Sequence, residues 1–181
     1  AIKQDAIPGF INTAWTIVDK PGTYRGKCTE LCGRSHGFMP VVVKVVPQEE
    51  YDLWIASKKE AALRMAELTE KNWTAEELVQ RGEGIYQKNC VACHQPNGAG
   101  IKGIFPALAG SDIVLNNKSR HLEILMEGVQ GAAMASYAKQ LSEVDMAAVI
   151  TYTRRSWGNA EKGDGEIIVP KDIVEYKKPK V

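Results

Sequence analysis

Four cysteines and three histidines carry most of the chemistry this chain can do. The cysteines form two close pairs, Cys28/Cys32 and Cys90/Cys93, and a histidine follows each pair, His36 and His94. Cys90-Val91-Ala92-Cys93-His94 reads C-x-x-C-H, the attachment signature of a c-type haem. Residues three apart share one face of a helical turn. Two thiols so placed reach two vinyl groups of one porphyrin and form thioethers, and the next residue, His94, is aimed at the iron. A thioredoxin-like dithiol would sit in a βαβ context, and a zinc site would need two further ligands nearby. Neither context is present around Cys90.

A six-coordinate haem iron needs a second axial ligand, often methionine in electron carriers. Downstream candidates are Met126, Met134 and Met146. Met126 lies in an apolar helical stretch, His121 to Glu127, closed by Gly128. Met146 lies in a helix that starts at Ser142. Both read as core residues. Met134 lies in Gly131-Ala132-Ala133-Met134-Ala135-Ser136, where small residues let a loop press flat on a porphyrin face. Met134 is therefore the expected ligand.

The first pair sits in Cys28-Thr29-Glu30-Leu31-Cys32-Gly33-Arg34-Ser35-His36-Gly37-Phe38-Met39. Cys28, Cys32 and His36 are four apart, but Gly33, Gly37 and Pro40 argue against a helix. A loop between a strand over Thr23 to Cys28 and another over Met39 to Val46 fits better. Thiolate, imidazole and thioether together suit copper in electron transfer, and also zinc. A disulfide remains open on these residues alone.

The elements that must position these groups are ordinary in composition. Of the 181 residues, 44% are hydrophobic and 25% charged, and the net charge is +1. That balance excludes a nucleic-acid binder driven by phosphate neutralisation. No apolar run approaches the roughly 18 residues of a membrane span. No charged start precedes an apolar core, so no signal peptide is expected. Thr74-Ala75-Glu76-Glu77 reads as a capping box. Leu78, Gly82, Ile85, Tyr86 and Asn89 follow at helical spacing and deliver Cys90 at the helix end. Gly82 inside that helix costs about 1 kcal/mol relative to alanine, which a close crossing by another helix would justify. Residues 48–71 read as a linking helix with Trp54, Ala61, Met65 and Leu68 on one side. The tail reads as a short extended segment around Glu166-Ile167-Ile168-Val169-Pro170.

Residues 74–159 resemble a small class I cytochrome c. The likeness rests on the C-x-x-C-H, Phe105-Pro106-Ala107-Leu108, the loop methionine, and a closing helix through Tyr152 to Trp157. It implies covalent haem c held by Cys90, Cys93, His94 and Met134. It also implies that the Pro106 carbonyl accepts a hydrogen bond from His94, and that the first and last helices cross with Gly82 and Tyr86 against Tyr152. Residues 1–47 resemble the copper A region of cytochrome c oxidase subunit II. That likeness rests on the Cys28–Met39 stretch with Asp5-Ala6-Ile7-Pro8-Gly9-Phe10 and Tyr24-Arg25-Gly26. It implies a dinuclear copper centre with Cys28 and Cys32 bridging, His36 and Met39 binding, and Glu30 offering its carbonyl.

That family uses a second histidine upstream, and no histidine precedes His36. Residues 1–47 supply about three of the seven or more strands such a sandwich needs. The expectation is a chain that begins partway through the copper domain. The copper pair would then be incomplete or absent in this piece, and the membrane-anchoring helices would be missing too. Together the segments resemble subunit II of the caa-type haem–copper oxidases. The implied fold is α+β and multidomain: the C-terminal strands of a cupredoxin-like β-sandwich, a linking helix, and an all-α class I cytochrome c domain. The expected boundaries are 1–47, 48–73, 74–159 and a tail over 160–181.

The resemblance implies respiratory electron transfer through haem c and copper A to the catalytic subunit I, this chain having no oxygen-reducing site of its own. The implied donor is a soluble cytochrome or a quinol-oxidising complex, on the periplasmic side of a bacterial inner membrane. A free cytochrome c carrier and a copper A nitric-oxide reductase subunit are the alternatives.

Overall fold

A computed structural model describes residues 2–178. The chain divides into two compact units, with the boundary after Ala62.

In the first unit, strand β1 (Gly22–Lys27) pairs antiparallel with β2 (Pro40–Val45), in register from Gly22 opposite Val45 to Lys27 opposite Pro40. Thr23, Tyr24 and the run Val41-Val42-Val43 are β-branched or aromatic residues that suit a pleated surface, and Pro40 stands at the first position of its strand, where a missing N–H is tolerated. Of the three or so strands expected in residues 1–47, two form among the described residues. Residues 2–21 form none, because no second strand offers their backbone groups a ladder. A turn at Ile7–Phe10, closed by the Phe10 N–H on the Ile7 carbonyl at 3.1 Å, is what Pro8 and Gly9 produce there.

Helix α1 (Gln48–Glu70) is the expected connector, and the unit boundary falls inside it. It buries no residue. Met65 and Leu68 of its expected apolar side are half-buried, whereas Trp54 and Ala61 are exposed. Charged residues surround the helix, so no continuous stripe exists to be covered.

The second unit is helical: α2 (Ala75–Asn89), α3 (Val91–His94), α4 (Asp112–Asn116), α5 (Lys118–Glu127), α6 (Glu143–Arg155) and α7 (Pro170–Lys177). The capping box forms as read, with the Glu77 N–H on Thr74 Oγ1 at 3.2 Å and the Thr74 N–H on the Glu77 carboxylate at 3.0 Å. Ser142 caps α6, its Oγ accepting from the Asp145 N–H at 3.1 Å and donating to the Asp145 carboxylate at 2.7 Å.

The core is the crossing of α2 and α6. Leu78, Tyr86, Val144, Met146, Ala147 and Ala148 are fully buried. At the crossing, a Cβ on Gly82 would lie 2.1 Å from the Ala148 carbonyl oxygen and 2.7 Å from the Tyr152 Cβ. Tyr86 then packs on Tyr152 with ring centroids 5.3 Å apart, and Trp157 closes the aromatic cluster.

The tail does more than the extended segment expected of it. Pro170 opens α7, the Val169 N–H reaches the Asp172 carboxylate at 2.9 Å, and Ile168 and Ile173 enter the core beside Met146 and Ile150. Proline pre-sets the first helical residue at no hydrogen-bond cost.

Three carboxylates are held below their ordinary range. A hydrogen bond from Lys71 does this to Glu77 and one from Lys177 to Glu143. For Asp164, burial pushes up, but the Arg154 guanidinium and the Glu166 N–H outweigh it. A depressed carboxylate contributes stability that is present above its unfolded value and lost as pH falls through its folded one. The melting temperature of the chain should therefore fall as the pH drops through and below the ordinary carboxylate range. A circular-dichroism melt that does not move across that window would contradict the assignment.

Candidate functional site

Each unit carries one cluster of chemically capable residues. In the first, the twelve residues from Cys28 to Met39 connect β1 to β2. Ser35 takes a left-handed conformation and starts one turn of 3-10 helix, His36–Phe38. The His36 N–H bonds the Gly33 carbonyl at 3.2 Å, and the Phe38 N–H bonds the Ser35 carbonyl at 2.8 Å. This fold-back brings the donors together. Cys28 Sγ lies 3.6 Å from Cys32 Sγ and donates to the Glu30 carbonyl at 3.1 Å. Cys32 Sγ lies 3.5 Å from His36 Nδ1 and 3.2 Å from Met39 Sδ. The Glu30 carboxylate turns away to Lys3 at 3.1 Å, leaving its carbonyl to the Cys28 thiol.

The two sulfurs are free thiols. The hydrogen bond with Cys28 raises the Cys32 thiol above its ordinary value. All five residues named from the sequence thus meet in one cluster. Two thiols, an imidazole, a thioether and a carbonyl are a soft to borderline set that fits copper. His36 is the one histidine in residues 1–47.

In the second unit, α2 ends at Cys90 and α3 carries the signature to His94. His94 Nδ1 lies 3.0 Å from the Pro106 carbonyl oxygen. A ring held this way donates from Nδ1 and keeps Nε2 free as a ligand. Gly100 makes the contact possible. Its N–H bonds the His94 carbonyl at 3.0 Å, its φ is +64°, and a Cβ there would lie 2.6 Å from the Pro106 oxygen. Only glycine takes that conformation freely and leaves that room. From the other direction, the Tyr86 hydroxyl reaches the Gln95 carbonyl at 2.7 Å and the Trp157 indole reaches the Pro96 carbonyl at 3.1 Å. The aromatic cluster at the helix crossing therefore also anchors the segment behind the imidazole.

Cys90, Cys93, His94, Pro106 and Met134 all line one cavity of about 290 Å³. Its walls are mostly apolar, with Phe105, Leu108, Val114, Leu125 and Val149 among them. The Met134 segment is fixed by the Val129 N–H on the Met134 carbonyl at 2.9 Å. The Tyr137 hydroxyl ties that segment to the Asn89 carbonyl at 3.1 Å, next to Cys90. Met126 and Met146 lie in the core instead. Burial, with Cys93 beside it, pushes the Cys90 thiol up to about 11, so it stays protonated at neutral pH.

The residues fit a haem on two observations. The donor set has two thiols and one tethered imidazole on an apolar cavity, and a buried ring nitrogen of the lining, His121 Nδ1, has no partner. His121 was legible in the sequence only as a residue of an apolar helix. Nothing local placed it on this cavity, nor placed Arg154 behind it.

Two family matches cover the two clusters. Residues 1–46 match "Cytochrome C oxidase subunit II, periplasmic domain", and residues 77–152 match "Cytochrome C oxidase, cbb3-type, subunit III". The chain is 32% identical over 162 residues to cytochrome c oxidase subunit 2 of Alkalihalophilus pseudofirmus, covering 84% of this chain and 44% of that protein. It is 56% identical over 61 residues to probable cytochrome c oxidase subunit 2 of Rickettsia felis, covering 34% of this chain and 19% of that one. The Rickettsia bellii protein of the same name is 53% identical over 60 residues, covering 33% and 22%. The chain thus spans less than half the length of these relatives.

Proposed function

For a chain that belongs to the cytochrome c oxidase subunit 2 family and joins a periplasmic-domain segment to a cytochrome c segment, we propose one-electron transfer within a respiratory haem–copper oxidase of the caa type. The observation that carries this is the shared cavity of Cys90, Cys93, His94 and Met134, with His94 held on Pro106 at 3.0 Å. In this reading the segment over 74–159 is a class I cytochrome c domain, and residues 1–47 are cupredoxin-like strands carrying the copper loop.

Cys90 and Cys93 hold haem c covalently, and His94 and Met134 present imidazole and thioether to its iron. Haem supplies a reversible one-electron couple there. Pro106 fixes the imidazole ring, and the apolar walls keep water from the site. In the intact subunit Cys28, Cys32, His36, Met39 and the Glu30 carbonyl would hold copper, and in this piece the copper pair would be incomplete or absent. A full dinuclear copper A centre would take a further histidine from outside residues 1–47. The reading places the chain on the periplasmic side, with subunit I as acceptor and a soluble cytochrome or quinol-oxidising complex as donor. Among the described residues no helix is long and apolar enough to cross a membrane. A free cytochrome carrier would leave the assembled Cys28–Met39 cluster without a task.

The test is covalency. Acidified organic solvent extracts non-covalent haem and leaves thioether-bound haem on the chain. Protein matured with haem should keep its colour in the precipitate, and Cys90→Ala with Cys93→Ala should lose it to the solvent. Colour that leaves the unaltered protein would overturn the haem assignment.

A further inference from the structure

One buried imidazole of the cavity wall is unspent. His121, on α5, is 4% exposed and its Nδ1 is sealed without a partner. Four other polar side chains of the lining are engaged, His94 on Pro106, Asn89 on the Ile85 carbonyl, Tyr137 on Asn89, and Thr153 on the Ile150 carbonyl, and Ser111 is a neutral hydroxyl at the start of α4. A sealed N–H with no acceptor costs the full desolvation of that group. Burial, the Arg154 cation and His94 all keep the ring uncharged. A neutral imidazole carries one ring proton, and with nothing to receive it at Nδ1, that proton belongs on Nε2.

Haem brings two carboxylates, and a carboxylate entering an apolar cavity needs donors. Arg154, 4% exposed, spends its own donors on the carbonyls of Val114, Leu115 and Glu166 and on Asp164. Paired with Asp164 and not itself lining the cavity, it is still close enough to bear on the ring of His121. A cation that discourages a second positive charge favours an anion in the same place. We propose that the Nε2–H of His121 donates to a haem carboxylate, which makes His121 a positioning residue for the porphyrin. The proposal rests on the haem reading above and goes beyond its ligands.

The experiment uses the full chain with covalent haem. In the reduced, diamagnetic protein, nitrogen-15 NMR should show a His121 Nε2–H protected from exchange with water. The resonance Raman band of the haem carboxylates should shift in His121→Leu and return towards its place in His121→Gln, whose amide can donate. A carboxylate band unmoved by His121→Leu would overturn the proposal. So would a wild-type ring with its proton on Nδ1, or one bound to iron. If the leucine variant does not fold, the wild-type NMR decides alone. Wild-type protein that carries no covalent haem fails the extraction test first, which identifies the failure as that of the haem reading and removes this proposal with it.

Discussion

Gly82→Ala is expected to be among the most damaging single-methyl additions this chain can receive. On an isolated helix the change would help by about 1 kcal/mol, since alanine is the better helix former. Here the added Cβ would lie 2.1 Å from the Ala148 carbonyl oxygen and 2.6 Å from its carbonyl carbon. Both are backbone atoms of α6, so no side chain can swing aside, and the helices must separate. Overpacking a well-filled core costs about 1–3 kcal/mol and occasionally more. A clash with backbone at this separation belongs at the upper end, about 3 kcal/mol net. At roughly 3–5 °C per kcal/mol for a unit of this size, melting should fall by on the order of 10 °C. Separation would also loosen Tyr86 and Trp157, which anchor the segment behind His94. An alanine variant that melts within a few degrees of the parent would show that the crossing is not as tight as described.

Met134→Ala in the haem-loaded chain should abolish the weak ferric iron–sulfur absorption band and lower the reduction potential. Axial ligands set haem potentials across roughly 0.8 V, and exchanging a thioether for water or another donor spends a sizeable part of that range. The fold should survive, because Met134 is half-buried in a loop whose fixed points are backbone groups and Tyr137. Met126→Ala and Met146→Ala should do the reverse. Both side chains are buried in the core, 8% and 0% exposed, so each truncation should cost about 2–5 kcal/mol while leaving the band in place. Spectra of the three variants separate the cases. Loss of the band in Met126→Ala or Met146→Ala, with Met134→Ala unchanged, would assign the ligand elsewhere.

What the sequence made legible was local. The capping box at Thr74, the C-x-x-C-H and the small-residue loop around Met134 are each written within a few adjacent residues. Gly82 was readable because a glycine inside a strong helix pattern demands a reason. The misses are tertiary. Arg154 and Arg155 both look like last-turn cations that suit a helix dipole, yet Arg154 is buried and Arg155 is not. Helix α7 was hidden because its reason to exist is the hydrophobic floor that α6 provides for Ile168 and Ile173. In α1 the spacing of Trp54, Ala61, Met65 and Leu68 suggested a buried side, but of these four only Met65 and Leu68 are half-buried.

The two clusters differ in how much chain must be in place before either exists. Every donor of the first comes from Cys28 to Met39, closed by one turn of 3-10 helix between two short strands. Closing a loop of about ten residues takes 10–100 ns, and a hairpin about 1–10 μs. The second draws its lining from Asn89 to Thr153 and needs α2 on α6 before its walls meet. Contacts that distant in sequence form late, because loop closure is paid before they return anything. On the time axis of folding, then, the thiols of the first unit come into register early. Cys90 and Cys93 share one local turn, but the walls around them wait for α2 to meet α6, and a porphyrin attached before that moment would be held by a chain that has yet to build its cavity.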